Sequence, residues 1–408
     1  MRTETDEIRD NLKYLTLLSR DYPSQAAAAS EIISTQALLK LPKGTEHFMS
    51  DLHGENEAFV HILNSASGVI REKVDQVLGE AVPEHTRAEL ATLIYYPNEK
   101  LPQLKARCAD EEVLDQWYTE TLLRLIDICR LVSSKHTREH VRKCLPASCG
   151  YILDELLHAH FEDHDKDLYY GQIVGSIIEN GRADRFIVRL CELIKHLAVD
   201  KLHIVGGCHP TRPFQWFLDT LRAARELNPG LLIKAFTPVE IAHFARMEGC
   251  STLEVLQRLK DAGLVMMPGG GAEIFDEDLR ARICPHKAGS AEWLRISGEA
   301  HSLGIKTNCT MLYGHLETCA MRVDHLCRLR EQQDKSGGFT CFIPLPFLTE
   351  NSRLKLPEEK LGPVRGLDQL RTVAVSRLML DNIPHIKAYW IMMGTKLAQT
   401  ALWYGADD

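Results

Sequence analysis

No apolar run in this chain approaches the roughly 20 residues that a membrane-spanning helix needs. The opening stretch, Met1 to Asp10, also lacks the apolar core of a signal peptide. Both absences lead to the expectation of a cytoplasmic protein without a membrane partner. Basic charge is in short supply: 48 Lys and Arg stand against 56 Asp and Glu, a formal net charge of -8, which argues against a general nucleic-acid binder. Twelve cysteines are scattered without the dense spacing of a small disulfide framework, so a reduced chain is expected. Low-complexity segments and short internal repeats are missing as well. What remains is 45% hydrophobic and 25% charged over 408 residues. That is a globular composition, with enough length for two or three domains and a sizeable core.

The residues that are present fall into two textures. Ile8 to Leu18 and Ala26 to Leu39 repeat apolar residues at helical spacing, Pro42-Lys43-Gly44 breaks the pattern, and His47 to Ser50 is short enough for a strand. That strand opens into Asp51-Leu52-His53-Gly54-Glu55. From Glu55 to Leu197 the period is again helical, clearest over Val113 to Val132, Tyr151 to Phe161 and Arg185 to Leu197. Lys201 to Val205 then alternates and ends in Gly206-Gly207, a strand and a turn.

Beyond Gly206 strands alternate with amphipathic helices such as Pro213 to Leu227 and Thr318 to Gln333. The expected strands are Leu231 to Ala235, Leu264 to Met267, Lys306 to Cys309, Thr340 to Ile343 and Ile386 to Trp390. Such alternation predicts parallel βα units of an incomplete TIM-like barrel, following a largely helical first half. With the His47 to Ser50 strand paired to Leu202 to Val205 by a right-handed crossover, the sheet has seven strands. The C-terminal ends of parallel strands form the functional face. Ligand loops are therefore expected at Gly206 to Pro210, Thr237-Pro238, Pro268 to Glu273 and Tyr313 to His315. Tyr313, His315 and Glu317 are candidate substrate residues at that mouth, or else the capped start of the next helix. Three glycines before Ala272-Glu273 exceed the needs of a turn and suit either a flexible loop or close backbone approach to a ligand. Cys208, Cys309, Cys319, Cys327 and Cys341 read as small core residues. The run His158 to Lys166 reads as a solvated helix end rather than a zinc site.

Two families are resembled, one after the other. Tyr14 to Tyr22, Leu41 to Glu55, Ala66 to Ile70, Ala91 to Leu101 and Leu202 to Gly206 resemble the start of the bacterial class 3 fructose-1,6-bisphosphatases. These are similar to calcineurin-type metallophosphoesterases. The resemblance implies a phosphoesterase-like first strand, manganese or another divalent metal, and metal ligation by the Asp-x-His motif Asp51 and His53. From Leu202 onward the chain resembles aminofutalosine synthase, a radical S-adenosylmethionine enzyme of menaquinone biosynthesis. His203 to Pro210, Ile233 to Ile241, Pro268 to Phe275, Lys306 to Thr318, Phe342 to Phe347 and Arg371 to Trp390 carry it. It implies an S-adenosylmethionine side formed by Gly206, Gly207, Gly270 and Glu273. On these resemblances residues 1–205 form a truncated metallophosphoesterase with a helical insertion, and residues 206–408 a partial radical-enzyme barrel.

Each half departs from its family where chemistry belongs. After its LHIV strand the phosphatase family continues Gly-Asp-x-x-Asp-Arg-Gly, and later Gly-Asn-His. Here the strand runs into Gly207-Cys208-His209-Pro210-Thr211-Arg212 and no Gly-Asn-His occurs. The radical family holds an iron-sulfur cluster with Cys-x-x-x-Cys-x-x-Cys. The closest pair here, Cys144 and Cys149, has four residues between, so a cluster is not expected. On the shared C-terminal edge, Asp51, His53 and His209 would lie with Glu273, Tyr313 and His315. Carboxylate and imidazole there suit zinc, manganese or ferrous iron. The expected activity is that of a phosphatase fragment, inactive as written. The alternatives are the radical enzyme without its cluster, or a non-catalytic or artificial fusion lacking either reaction; the expected partner is a small-molecule substrate.

Overall fold

A computed structural model describes residues 12, 16, 19–20, 22–42, 45–50, 56–158, 167–350, 352, 354–358 and 361–408. They form two compact units, one of residues 1–45 and 68–198, the other of residues 46–67 and 199–408. The division at Leu202 to Gly206 is one of resemblance, whereas compactness places residues 46–67 with the later strands.

The first unit is helical. Its longest helix, Glu111–Ser133, starts on the Asp110 carboxylate, which accepts from the Val113 amide; Glu111 and Glu112 in the first turn and Arg130 in the last match the helix dipole. Its buried stripe of Leu122, Leu125, Ile126 and Cys129 packs on the helix Ala183–Ala198, which buries Phe186, Ile187, Leu190, Ile194 and Leu197 at spacings of three and four. Asp184 ties them, accepting from the Tyr118 hydroxyl and pairing with Lys105, both at 2.6 Å. The reading Tyr151 to Phe161 becomes the helix Gly150–Leu157, and residues 159–166 of the histidine-rich run lie outside the described residues. Most of Ile8 to Leu18 lies outside them too. The Ala26 to Leu39 period yields the helix Gln25–Leu38, capped by Ser24, yet none of its residues is buried.

The second unit is built on one parallel sheet. Its strands are β1 (Glu46–Ser50), β2 (Lys201–Val205), β3 (Leu232–Ala235), β4 (Leu264–Met267), β5 (Lys306–Tyr313), β6 (Phe339–Pro346) and β7 (His385–Ile386), paired in that order. The register pairs His47 with Leu202 and Ser50 with Val205, so the expected first pairing is present. Leu202, Ile204, Ile233 and Ala235 are buried, whereas Lys201, His203, Leu232 and Lys234 occupy the opposite face. The core beyond β4 joins Phe275, Trp293, Cys309, Met311, Tyr313 and Phe342.

Two expectations are corrected. The strand Ile386 to Trp390 stops after Ile386. There the C-terminal residues take over the backbone: the Asp407 amide donates to the Ile386 carbonyl and the Ala388 amide to that of Asp408, before the helix Trp390–Met393 begins. Cys309 and Cys341 are buried, but Cys208, Cys319 and Cys327 are exposed. Cys208 lies in the loop after β2, and Cys319 opens the helix Cys319–Ser336, on which Cys327 falls beside the buried pair His325 and Leu326 rather than with it. β5 and β6 also run longer than expected. Parallel strands covered on both faces lose the alternation that marks their ends.

The sheet is curled as a half-barrel. Laid flat at about 4.8 Å per strand, its outer strands would lie roughly 29 Å apart, well beyond the screening length of salt water. Glu46 at the start of β1 nevertheless acts on the charge of Lys387 just past β7, so the same face of both ends turns inward.

Candidate functional site

Because all seven strands are parallel, the loops after β2, β3, β4 and β5 share one edge. A cavity of about 280 Å³ opens where β2 and β3 end. Gly206, Gly207, Cys208 and His209 form one wall, and Trp216, Phe217 and Phe236 supply aromatic surface. Phe217 meets Phe236 edge-on at 5.9 Å, and the Arg212 guanidinium lies over Trp216 at 5.5 Å. Gly206 has a local reason: a Cβ there would come within 3.3 Å of Glu240 Oε1. Glu240, buried, closes a capping box in which its Oε2 accepts from the Thr237 amide at 2.7 Å and the Thr237 hydroxyl at 2.8 Å. Reasoning from sequence missed Glu240 and the three aromatic residues. The signal for Glu240 was available as Thr237-Pro238-Val239-Glu240, a capping-box spacing with proline at the first helical position.

His209 is half-buried on this wall. Its Nδ1 accepts from the amides of Arg212 at 3.0 Å and Thr211 at 3.3 Å. The neutral ring therefore carries its proton on Nε2, the nitrogen that a metal would need bare. Asp51 and His53 lie outside the described residues. Among the described residues no three His, Cys, Asp or Glu side chains converge as metal ligands.

The glycine loop after β4 approaches protein on the protein side. A Cβ on Gly269 would lie 2.6 Å from the Asn308 carbonyl oxygen, and one on Gly271, at φ +84°, would overlap Val239. The Gly270 carbonyl accepts from Trp293 Nε1 at 3.1 Å. Buried Arg280 gathers the carbonyls of Gly271, Ala272, Ile274 and Ala288, and so fixes the loop around Glu273. Glu273 itself has φ +47°, and its carboxylate pairs with Lys287 at 2.6 Å. It lines a second cavity, of about 450 Å³, with Arg282, Lys287, Leu312, His315 and Phe347. The four residues expected on one cofactor side are thus parted: Gly206 and Gly207 line the first cavity, Glu273 the second, and Gly270 is bound into the loop.

Of the expected substrate residues, His315 lines the second cavity. Tyr313 is fully buried in the core, with Arg322 over its ring at 4.9 Å. Glu317 accepts from the Gly314 amide and from His315 at 2.8 Å, and pairs with Arg322 at 2.7 Å. Burial opposes its charge, but the Gly314 amide and then His315 and Arg322 outweigh it and hold its carboxyl below the usual range. The three residues come together as the anchored turn before the helix Cys319–Ser336, whose N-cap is Thr318.

Comparison with known proteins matches residues 13–227 to the family model of the Firmicute fructose-1,6-bisphosphatases and residues 336–408 to that of the CofH/MqnC C-terminal region. A fructose-1,6-bisphosphatase class 3 from Clostridium acetobutylicum is 52% identical over 211 residues, 52% of this chain and 31% of that protein. One from Clostridium botulinum strain Loch Maree is 51% identical over 206 residues, 50% of this chain and 30% of that protein. The chain spans under a third of the length of these relatives. Among the described residues no helix is long and apolar enough to cross a membrane.

Proposed function

The chain belongs to the Firmicute fructose-1,6-bisphosphatase family, whose model covers residues 13–227, and from that membership we propose a fusion that binds a small molecule and carries out neither parental reaction. In this reading a fragment of a metal-dependent fructose-1,6-bisphosphate 1-phosphatase is joined near Leu202 to Gly206 to a part of a radical S-adenosylmethionine enzyme. It works in the cytoplasm, with neither nucleic acid nor membrane as partner. One observation carries it. The loop after β2 presents glycine backbone and an aromatic cavity, with Glu240 committed to its helix cap and His209 Nδ1 to two amides. A phosphoryl group in transfer needs positive charge fixed around it. That cavity offers a single guanidinium, Arg212, already laid over Trp216, and suits the adenosine part of S-adenosylmethionine better: its rings offer stacking for the base, and Gly206 and Gly207 let the ligand approach the backbone.

The test has two arms on the full chain. With manganese or magnesium, fructose 1,6-bisphosphate should not be hydrolysed above background; turnover that vanishes in Asp51→Ala would overturn this arm. In equilibrium dialysis, S-adenosylmethionine should bind, and Gly206→Val should abolish binding by filling the cavity against Glu240. Under reducing anaerobic conditions no 5′-deoxyadenosine should form. Absence of binding by the wild-type chain sinks the ligand reading.

A further inference from the structure

Inside the curl of the sheet, away from the cavity discussed above, lies a second group of charged residues. Lys201 and His203 from β2 and Lys234 from β3 share one face, with His203 directly beside Lys234 in the register. Glu46 from β1 pairs with Lys201 at 2.9 Å and lies 3.6 Å from His203 Nε2. The curl brings in Cys341 from β6, Lys387 from just past β7 and Asp408 from the C-terminus. Lys387 pairs with Asp408 at 2.8 Å, and the Cys341 thiol lies 3.8 Å from the same carboxylate. Two of the three lysines thus have an acid each. Lys234, half-buried, makes no ion pair among the described residues and faces the other two ammonium groups.

We propose that Lys234 is a carbonyl-capturing amine, which condenses with the aldehyde or keto group of a small anionic carbonyl compound to form an imine on the inner face of the sheet. The requirements are an amine that is free part of the time, a base beside it, and fixed cations for the anionic group of the partner. Burial lowers the pKa of Lys234, and Lys387 lowers it further. Burial and the neighbouring Lys234 ammonium bring His203 to about 4, so its imidazole is neutral at pH 7. Lys387 stays charged: against the effect of burial, its bond to Asp408 raises its pKa. Lys201 and Lys387 would meet the carboxylate or phosphate of the partner by exchanging Glu46 and Asp408 for it.

The step balances. The amine lone pair adds to the carbonyl carbon, the carbonyl electron pair moves to oxygen, and a proton passes from nitrogen to that oxygen with His203 as carrier. A second proton, taken from solvent, releases the hydroxyl as water, leaving a protonated imine. One water departs for each C=N bond formed, and nothing is oxidised or reduced.

The test traps the imine in the intact chain. Pyridoxal 5′-phosphate is added at pH 7.5, the mixture is reduced with sodium borohydride, and labelled lysines are mapped by mass spectrometry at several probe concentrations. Lys234 should be labelled several-fold more readily than exposed Lys143 and Lys396, since a lowered pKa leaves more of its amine free at pH 7.5. Pyridoxal without its phosphate should label Lys234 several-fold less. Lys234→Arg, which keeps the charge, should remove one equivalent of fast labelling and leave the surface pattern unchanged. Labelling spread evenly over surface lysines, or a Lys234 that stays unmodified while Lys143 reacts, would overturn the proposal. Equal labelling by the two aldehydes would overturn its anionic half.

Discussion

Three histidines of the second unit are held neutral by their surroundings. His325 is fully buried, stacks on Phe275 with ring centroids 3.9 Å apart, and donates from Nε2 to the Thr310 carbonyl at 2.9 Å. Its Nδ1 has no hydrogen-bond partner, so a second proton there would find no acceptor among the described residues. Burial pushes its pKa down to about 3, and burial likewise brings His301 and His203 to about 4. In the unfolded chain all three titrate near 6.5. Between the two values the unfolded state binds more protons than the folded one. Their contribution is therefore present in full above about pH 6.5 and is lost as pH falls toward 4, by about 1.4 kcal/mol per pH unit for each fully titrating histidine. Urea midpoints should fall steadily from pH 7 to pH 5. In His325→Gln, whose amide can still reach Thr310, that fall should be shallower by about one histidine's share. A midpoint that is flat over this range would show the rings to be protonated in the fold.

At the scale of elements, the helix Pro238–Glu248 couples stability to the cavity. Thr237 caps it and holds the Glu240 carboxylate in place beneath Gly206. Thr237→Ala should lower unfolding free energy by about 1 kcal/mol and weaken S-adenosylmethionine binding, while Thr237→Ser keeps both. Calorimetric unfolding beside equilibrium dialysis reads the two effects. A stability loss with unchanged binding would mean that Glu240 does not shape the cavity. The same helix shows what was legible in advance. Its cap spacing is written in Thr237 to Glu240, and the alternation of Lys201 to Val205 reports a strand with one buried face. The pairing of β1 with β2 was also legible, because both strands are bounded by turn residues. What escaped was tertiary. Phe236, at φ +58°, follows no local rule that would turn it toward Trp216 and Phe217. The Gly269 to Gly271 cluster looks the same whether it approaches a ligand or Asn308, and the end of β7 is decided by Asp407 and Asp408, some 20 residues further along.

The whole molecule carries one long-range dependence. β1 and β2 pair across roughly 150 residues of intervening chain, which by loop-closure entropy costs roughly 4 kcal/mol, against roughly 3 kcal/mol for the connection of about 25 residues between β5 and β6. β5 and β6 also make the longest ladder of the sheet, from Thr307 opposite Phe339 to Tyr313 opposite Pro346, and bury Cys309, Met311 and Phe342 as they form. The edge strand β1 has β2 as its sole ladder partner among the described residues. The sheet should therefore form from β5 and β6 outward, with β1 joining last. In pulse-labelled refolding read by mass spectrometry, amides of Asn308 to Leu312 and of Phe342, Ile343 and Leu345 should be protected before those of His47 to Ser50. Glu46→Ala tests the same order by rate. Removing the partly buried partner of Lys201 should cost roughly 1 kcal/mol. Because the pair forms after the barrier, that loss should appear as about fivefold faster unfolding with the refolding rate unchanged. Slower refolding with unchanged unfolding would place β1 in the nucleus, and the long connection would then have to be closed first.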